Sequence, residues 1–277
     1  MRRETATRHM TARLATIVLL AFLAAACTAR SLDDAQTRFD TLAAEAARQS
    51  SPPPRVTGPQ AVSPIVPGGT STALLDLATT SAEAAEKASG PTRVAFWRVA
   101  ALSAWQAATI PGADPATATN AVALVDRASR QGAETCGTLG ANAPVRDCAL
   151  VTLAPAFVLL DQGSAPMRWP NEKPRTAEAW RSLAADDTLA TAVRDYERRL
   201  ETPSVVNARR IPAMQAYLRE TDLAILCTAQ RRRSWLNDGQ LEPGVSIEQF
   251  EASVDLTNSL KDSFQKRYQG ASVGDCG

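Results

Sequence analysis

The chain has 277 residues, 45% hydrophobic but only 5% aromatic, with 30 Lys and Arg against 29 Asp and Glu for a formal net charge of +1. This balance shows no basic footprint of a nucleic-acid-binding domain, so no nucleic-acid partner is expected. The one histidine, His9, lies in the leading segment; once that segment is removed, Ser-His-Asp and Cys-His catalysis, HExxH zinc sites and His-ligated haem are excluded. No cofactor and no metal site is expected.

Residues 1–26 read as a signal peptide. Arg2, Arg3, Arg8 and Arg13 supply a positive start, and Leu14 to Ala26 forms an apolar run that ends in small residues. That run falls short of the roughly 20 apolar residues a spanning helix needs. Leu23-Ala24-Ala25-Ala26-Cys27 resembles the lipobox of bacterial lipoproteins. The resemblance implies lipidation at Cys27 and, because Thr28 rather than Asp follows it, a protein anchored on the periplasmic side of the outer membrane. Ordinary cleavage after Ala26 gives a soluble periplasmic protein instead.

With Cys27 acylated, Cys136, Cys148, Cys227 and Cys276 remain, an even set suited to an oxidising compartment. Three pairings are open. Local pairing is expected, Cys136 with Cys148 and Cys227 with Cys276, each bridge contributing about 2 to 4 kcal/mol. The absence of any CxxC spacing favours structural bridges over a redox or metal site.

Residues 27–50 form the lipidated N-terminus and a first helix, Ser31 to Gln49, with Leu32, Ala35, Phe39, Leu42 and Ala46 on one stripe. Residues 51–69 form a Pro/Gly-rich linker that separates this helix from the rest. The linker either drapes over the domain or acts as a spacer.

Residues 70–277 read as one helical domain. The expected helices are Thr72 to Ser89, Thr92 to Thr109, Ala116 to Gly132, Val145 to Asp161, Thr176 to Glu201, Val205 to Asn237 and Ser246 to Gln269, with Pro212 kinking or splitting the sixth. No run of alternating β-branched residues points to a sheet. The expected fold class is all-α, either a helical bundle or a short TPR-like α-solenoid of helical hairpins, stabilised by disulfides.

Within Arg93 to Gln131, Phe96-Trp97 and Trp105 flank the small residues Ala101 and Ala104, followed by Ala121, Leu124, Val125 and Ala128. This pattern resembles one helical hairpin of a tetratricopeptide-like repeat and implies large side chains filling between two close helices. The candidate partner surface comprises Trp97, Trp105, Arg168 and Trp169; the last two sit in a Pro-rich loop, where Trp169 either contacts a partner or caps the core.

Arg198, Arg199, Arg209, Arg210 and Arg231-Arg232-Arg233 are expected on a solvated face paired with Glu201, Glu220 and Asp238. On the last helix, Glu248, Glu251 and Asp255 are expected opposite a buried Ile247, Phe250, Val254 and Leu260.

No catalytic motif is present. Glu178, Glu197 and Glu220 lie on expected helices, but no pair takes acid and base roles. The expectation is a non-catalytic, periplasm-facing lipoprotein that acts as an adaptor or assembly factor at the cell envelope, its partners being the membrane through the anchor and an envelope protein. The alternatives are a carboxylate-based peptidoglycan hydrolase of lytic-transglycosylase type and a small-ligand carrier.

Overall fold

The computed structural model describes residues 31–46, 68–110, 112–161, 174–239 and 245–269. Cys27, Arg168, Trp169, Cys276 and nearly all of the expected linker lie outside the described residues. Among the described residues the fold is all-α, with no strand.

Helix α1 spans residues 31–46. It is followed by α2 (Gly68–Lys87), α3 (Gly90–Thr109), α4 (Pro115–Leu139) and α5 (Val145–Asp161), then α6 (Ala177–Ala185), α7 (Thr188–Leu200), α8 (Pro203–Ala208), α9 (Pro212–Gly239) and α10 (Ile247–Arg267). Helix α2 includes Gly68 and Gly69 of the expected linker.

Helix α3 is the centre of the first half. It is apolar around nearly its whole circumference, with Phe96, Trp97, Val99, Ala100, Ala101 and Ala104 all buried, and such a helix must be surrounded. Helices α2, α4 and α5 surround it and also touch one another in the pairs α2–α4 and α4–α5. This mutual packing is that of a helical bundle. The α3–α4 hairpin expected from the sequence is present within it.

Small residues make the close packing possible. Ala78, Ala82 and Ala85 of α2 meet the alanines of α3 in one buried cluster with Ala128 and Ala154. Gly132 was expected to end α4, yet the helix runs on to Leu139. A Cβ there would collide with Val151 and lie 3.3 Å from the Trp97 Cβ, so this glycine allows a close approach rather than forming a cap. The actual turn is a short 3-10 segment opened by Gly140, whose φ of +54° is a left-handed value that glycine tolerates. Across that turn Cys136 and Cys148 are disulfide-bonded, with Cα atoms 6.0 Å apart. Cys227 is disulfide-bonded as well.

The first helix packs on the core of the helical domain. Phe39 and Ala46 are buried in the main core, with Leu32, Ala35, Leu42 and Ala43 packed against it. Gln36 Oε1 accepts from Arg98 Nη2 at 2.6 Å, and Arg98 pairs with Asp147 of α5 at 3.1 Å. One guanidinium thus ties α1, α3 and α5 together. Burial pushes the Arg98 pKa down, against the pull of Asp147.

The second half is joined by side chains of a different kind. The expected helix over Thr176 to Glu201 is broken at Asp186-Asp187, where Asp186 Oδ1 accepts from the Thr188 N–H at 2.9 Å. Pro212 splits the next one into α8 and α9, since proline lacks the N–H that an interior position needs. Helix α10 opens with a reciprocal capping box between Ser246 and Gln249. Its buried stripe is Ser253, Thr257, Leu260 and Phe264, while Ile247 is 67% exposed. Ile247, Phe250 and Val254 therefore do not form the buried face expected for them.

Candidate functional site

The buried stripe of α9 runs Leu218, Asp222, Ile225, Ala229, which places a carboxylate where an apolar residue is the rule. Asp222 is 6% exposed, and burial at this depth requires partners. Its Oδ2 accepts from Arg267 Nη1 at 3.0 Å and from the Tyr268 hydroxyl at 2.9 Å, both at the end of α10. Arg267 Nη2 reaches Glu197 Oε1 of α7 at 3.1 Å. Three helices thus converge on one polar network.

Protonation follows from this geometry. Burial works to lower the Arg267 pKa, but the charge and hydrogen bond of Asp222 outweigh it and the pKa is raised. Burial and then the Asp222 carboxylate push the Tyr268 hydroxyl up. The Tyr196 hydroxyl on α7 is pushed up for the same two reasons. It faces the charge of Asp222 without reaching a hydrogen bond of normal geometry.

Over this network lies an open groove of about 460 Å³ lined by Pro212, Gln215, Ala216, Arg219, Arg267, Tyr268 and Gln269. It continues into a smaller space of about 150 Å³ that adds Arg209 and Leu218. Arg209 is half-buried and donates from Nη2 to the Leu200 carbonyl at 2.9 Å. Arg219 is exposed and makes no ion pair among the described residues. Among the described residues no carboxylate lines either space. A second hollow of about 390 Å³ lies where Gln230, Arg233, Ser234 and Asn237 of α9 meet Phe250 of α10.

The tryptophans of the expected partner surface do not form one. Trp97 is fully buried beside Gly132 in the bundle, and Trp105 is half-buried against Phe157 with ring centroids 5.2 Å apart. Both sit on α3, which α2, α4 and α5 surround. Arg168 and Trp169 lie outside the described residues.

Of the arginines expected on a solvated face, Arg198, Arg210 and Arg233 are exposed, while Arg232 is buried and Arg199 half-buried. Arg232 is 7% exposed and caps α6, donating from Nη2 to the Leu183 carbonyl at 3.1 Å and to the Asp186 carbonyl. Arg199 donates to the Thr152 carbonyl at 2.9 Å, one residue past the carbonyl that Pro155 leaves without its helical donor. Arg198 and Arg199 pair with Asp195. Burial works to raise the Asp195 pKa, but the hydrogen bonds from Arg199 and Arg198 lower it overall.

Asp222, Tyr196, Arg267, Tyr268, Arg209 and Arg219 are the groove residues that the sequence reading did not single out as a site. The one available signal was Asp222, a charge at a core position of an amphipathic stripe. Among the described residues no cluster of three or more His, Cys, Asp or Glu side chains is arranged to hold a metal, and no helix is long and apolar enough to cross a membrane. No family model matches the chain, and no curated protein or solved structure is significantly similar to it.

Proposed function

We propose that the chain is a non-catalytic, lipid-anchored protein on the periplasmic side of the outer membrane, acting as an adaptor or assembly factor whose contact surface is the α9–α10 groove. One observation carries the binding role. The carboxylates beneath the groove, Asp222 and Glu197, are both held by Arg267, while Arg219 and Gln215 on its wall have no side-chain partner among the described residues. The carboxylates are thus structural acceptors, and the free donors face outward, which favours recognition over acid–base chemistry. The Cys136–Cys148 bridge supports an exported location, because such bonds persist in oxidising compartments.

The anchor is tested by fractionation. Cys27→Ala is expected to move the mature protein from the membrane to the soluble periplasmic fraction, and unchanged fractionation removes the anchor. The adaptor role is tested by placing a photocrosslinking residue at Ala216 on the groove and, as a control, at exposed Thr79 on α2. A discrete adduct at position 216 alone is expected. Release of soluble fragments from purified cell-wall sacculi overturns the non-catalytic assignment.

A further inference from the structure

Among the described residues, no carboxylate lines the groove to neutralise its charge. Arg267 is matched by Asp222 and Glu197, so its positive charge is already answered by two carboxylates. Arg209 uses Nη2 on a neutral carbonyl, which orients the guanidinium without cancelling its charge. Arg219 has no ion-pair partner among the described residues. Arg219 lines the larger space and Arg209 the smaller one, both spaces share the Gln215 amide and the Tyr268 ring, and no acidic side chain among the described residues lines either.

We propose that this groove binds a small water-soluble ligand through a carboxylate or phosphate group, with Arg209, Arg219 and Gln215 as the donors. The proposal rests on the reading of the groove as the contact surface and adds the chemistry of what it takes.

Three features support it. A guanidinium presents a planar fork of N–H donors that matches the two oxygens of a carboxylate or phosphate, and such bonds are stronger than neutral ones. One of the three donors is fixed in advance, since the Leu200 carbonyl holds Arg209. Donors already ordered lose little freedom when a ligand arrives. The size also fits, since a space of about 460 Å³ lies within the range of small-ligand sites but admits little more than one such molecule.

The test uses the mature full-length protein in detergent, titrated at constant ionic strength with inorganic phosphate and with citrate while the melting temperature is followed. A saturable rise is expected with at least one anion, because a ligand that binds only the folded state stabilises it. Arg219→Gln is expected to leave the ligand-free melting temperature unchanged and to weaken the apparent affinity about tenfold, the loss of one charge-assisted hydrogen bond. Arg130→Gln, on an exposed position of α4, is the charge-matched control and leaves affinity unchanged.

No saturable rise with either anion overturns the proposal, as does an equal loss in the two variants. Vesicles of phosphatidylcholine with and without phosphatidylglycerol separate the source of the anion: binding only to the phosphatidylglycerol vesicles, with none to phosphate or citrate, overturns the soluble-ligand assignment. If crosslinking at Ala216 persists while anions fail to bind, the contact surface stands and only the ligand chemistry falls. If both fail, the reading of the groove falls with it.

Discussion

The α2–α5 bundle and the α7–α10 layer both contribute to apolar cores, yet they differ in what supplements that packing. In the bundle, alanines and Gly132 bring the helices together around Trp97 and Phe96. In the second layer, long polar side chains bridge the helices: Arg267 to Asp222 and Glu197, Arg232 to the end of α6, Arg199 to α5. Small-residue packing leaves no space for a ligand. The guanidinium and phenol bridges of Arg267 and Tyr268 lie at the end of α10, and the groove lies beside them.

The largest expected effect tests the bundle. Trp97→Ala removes a side chain with no solvent exposure and is expected to lower unfolding stability by about 3 to 5 kcal/mol, measured by urea denaturation with circular dichroism. A loss under about 1 kcal/mol would mean that the bundle does not depend on filling around α3.

Next comes the bridge. Cys136→Ser with Cys148→Ser opens a loop with a sequence separation of 12 and is expected to lower stability by about 3 kcal/mol. If the two halves are joined as described, the response of the groove to phosphate is unchanged in this variant, and a changed response would show that the halves are coupled.

Arg232→Leu removes the cap on α6 and leaves the Leu183 and Asp186 carbonyls without that donor, with an expected loss of about 2 kcal/mol. The change also removes a buried charge, which works in the opposite direction. Hydrogen exchange is expected to quicken first in α6, and uniform quickening would contradict the local role.

The smallest effect is a pH slope. Tyr196 and Tyr268 have raised pKa values in the folded state, so their contribution is fully present below the usual tyrosine pKa of about 10. It is lost as pH rises above that value, because the unfolded chain releases protons that the folded one keeps. The urea midpoint is therefore expected to fall between about pH 10 and 12, and Tyr268→Phe to fall less steeply. Equal slopes in the two proteins would remove Tyr268 from the network.

What was legible in the chain follows the same division. The bounds of α5, Val145 to Asp161, match the reading from composition alone, because a dense apolar run leaves little choice. The end of α4 was misread at Gly132, since a glycine that caps a helix and one that lets a neighbour approach look alike in sequence. The tryptophans were placed on a surface because exposure depends on how many neighbours a hairpin has, and no local pattern records that. The groove was the least legible. Arg209, Arg219 and Arg267 are ordinary surface residues by type, and only the break at Pro212 and the packing of α10 on α9 bring them together with Asp222.

The docking of α1 carries one more consequence, for how closely the domain is held. The Pro-rich stretch joins two packed helices, since Phe39 and Ala46 on one side and Leu74 on the other share a core, so its length cannot set a distance from a membrane. If Cys27 carries the lipid, Ser31, the first described residue of α1, lies four positions after it, at most about 14 Å of chain. The domain core on which α1 packs would then be held close to the bilayer.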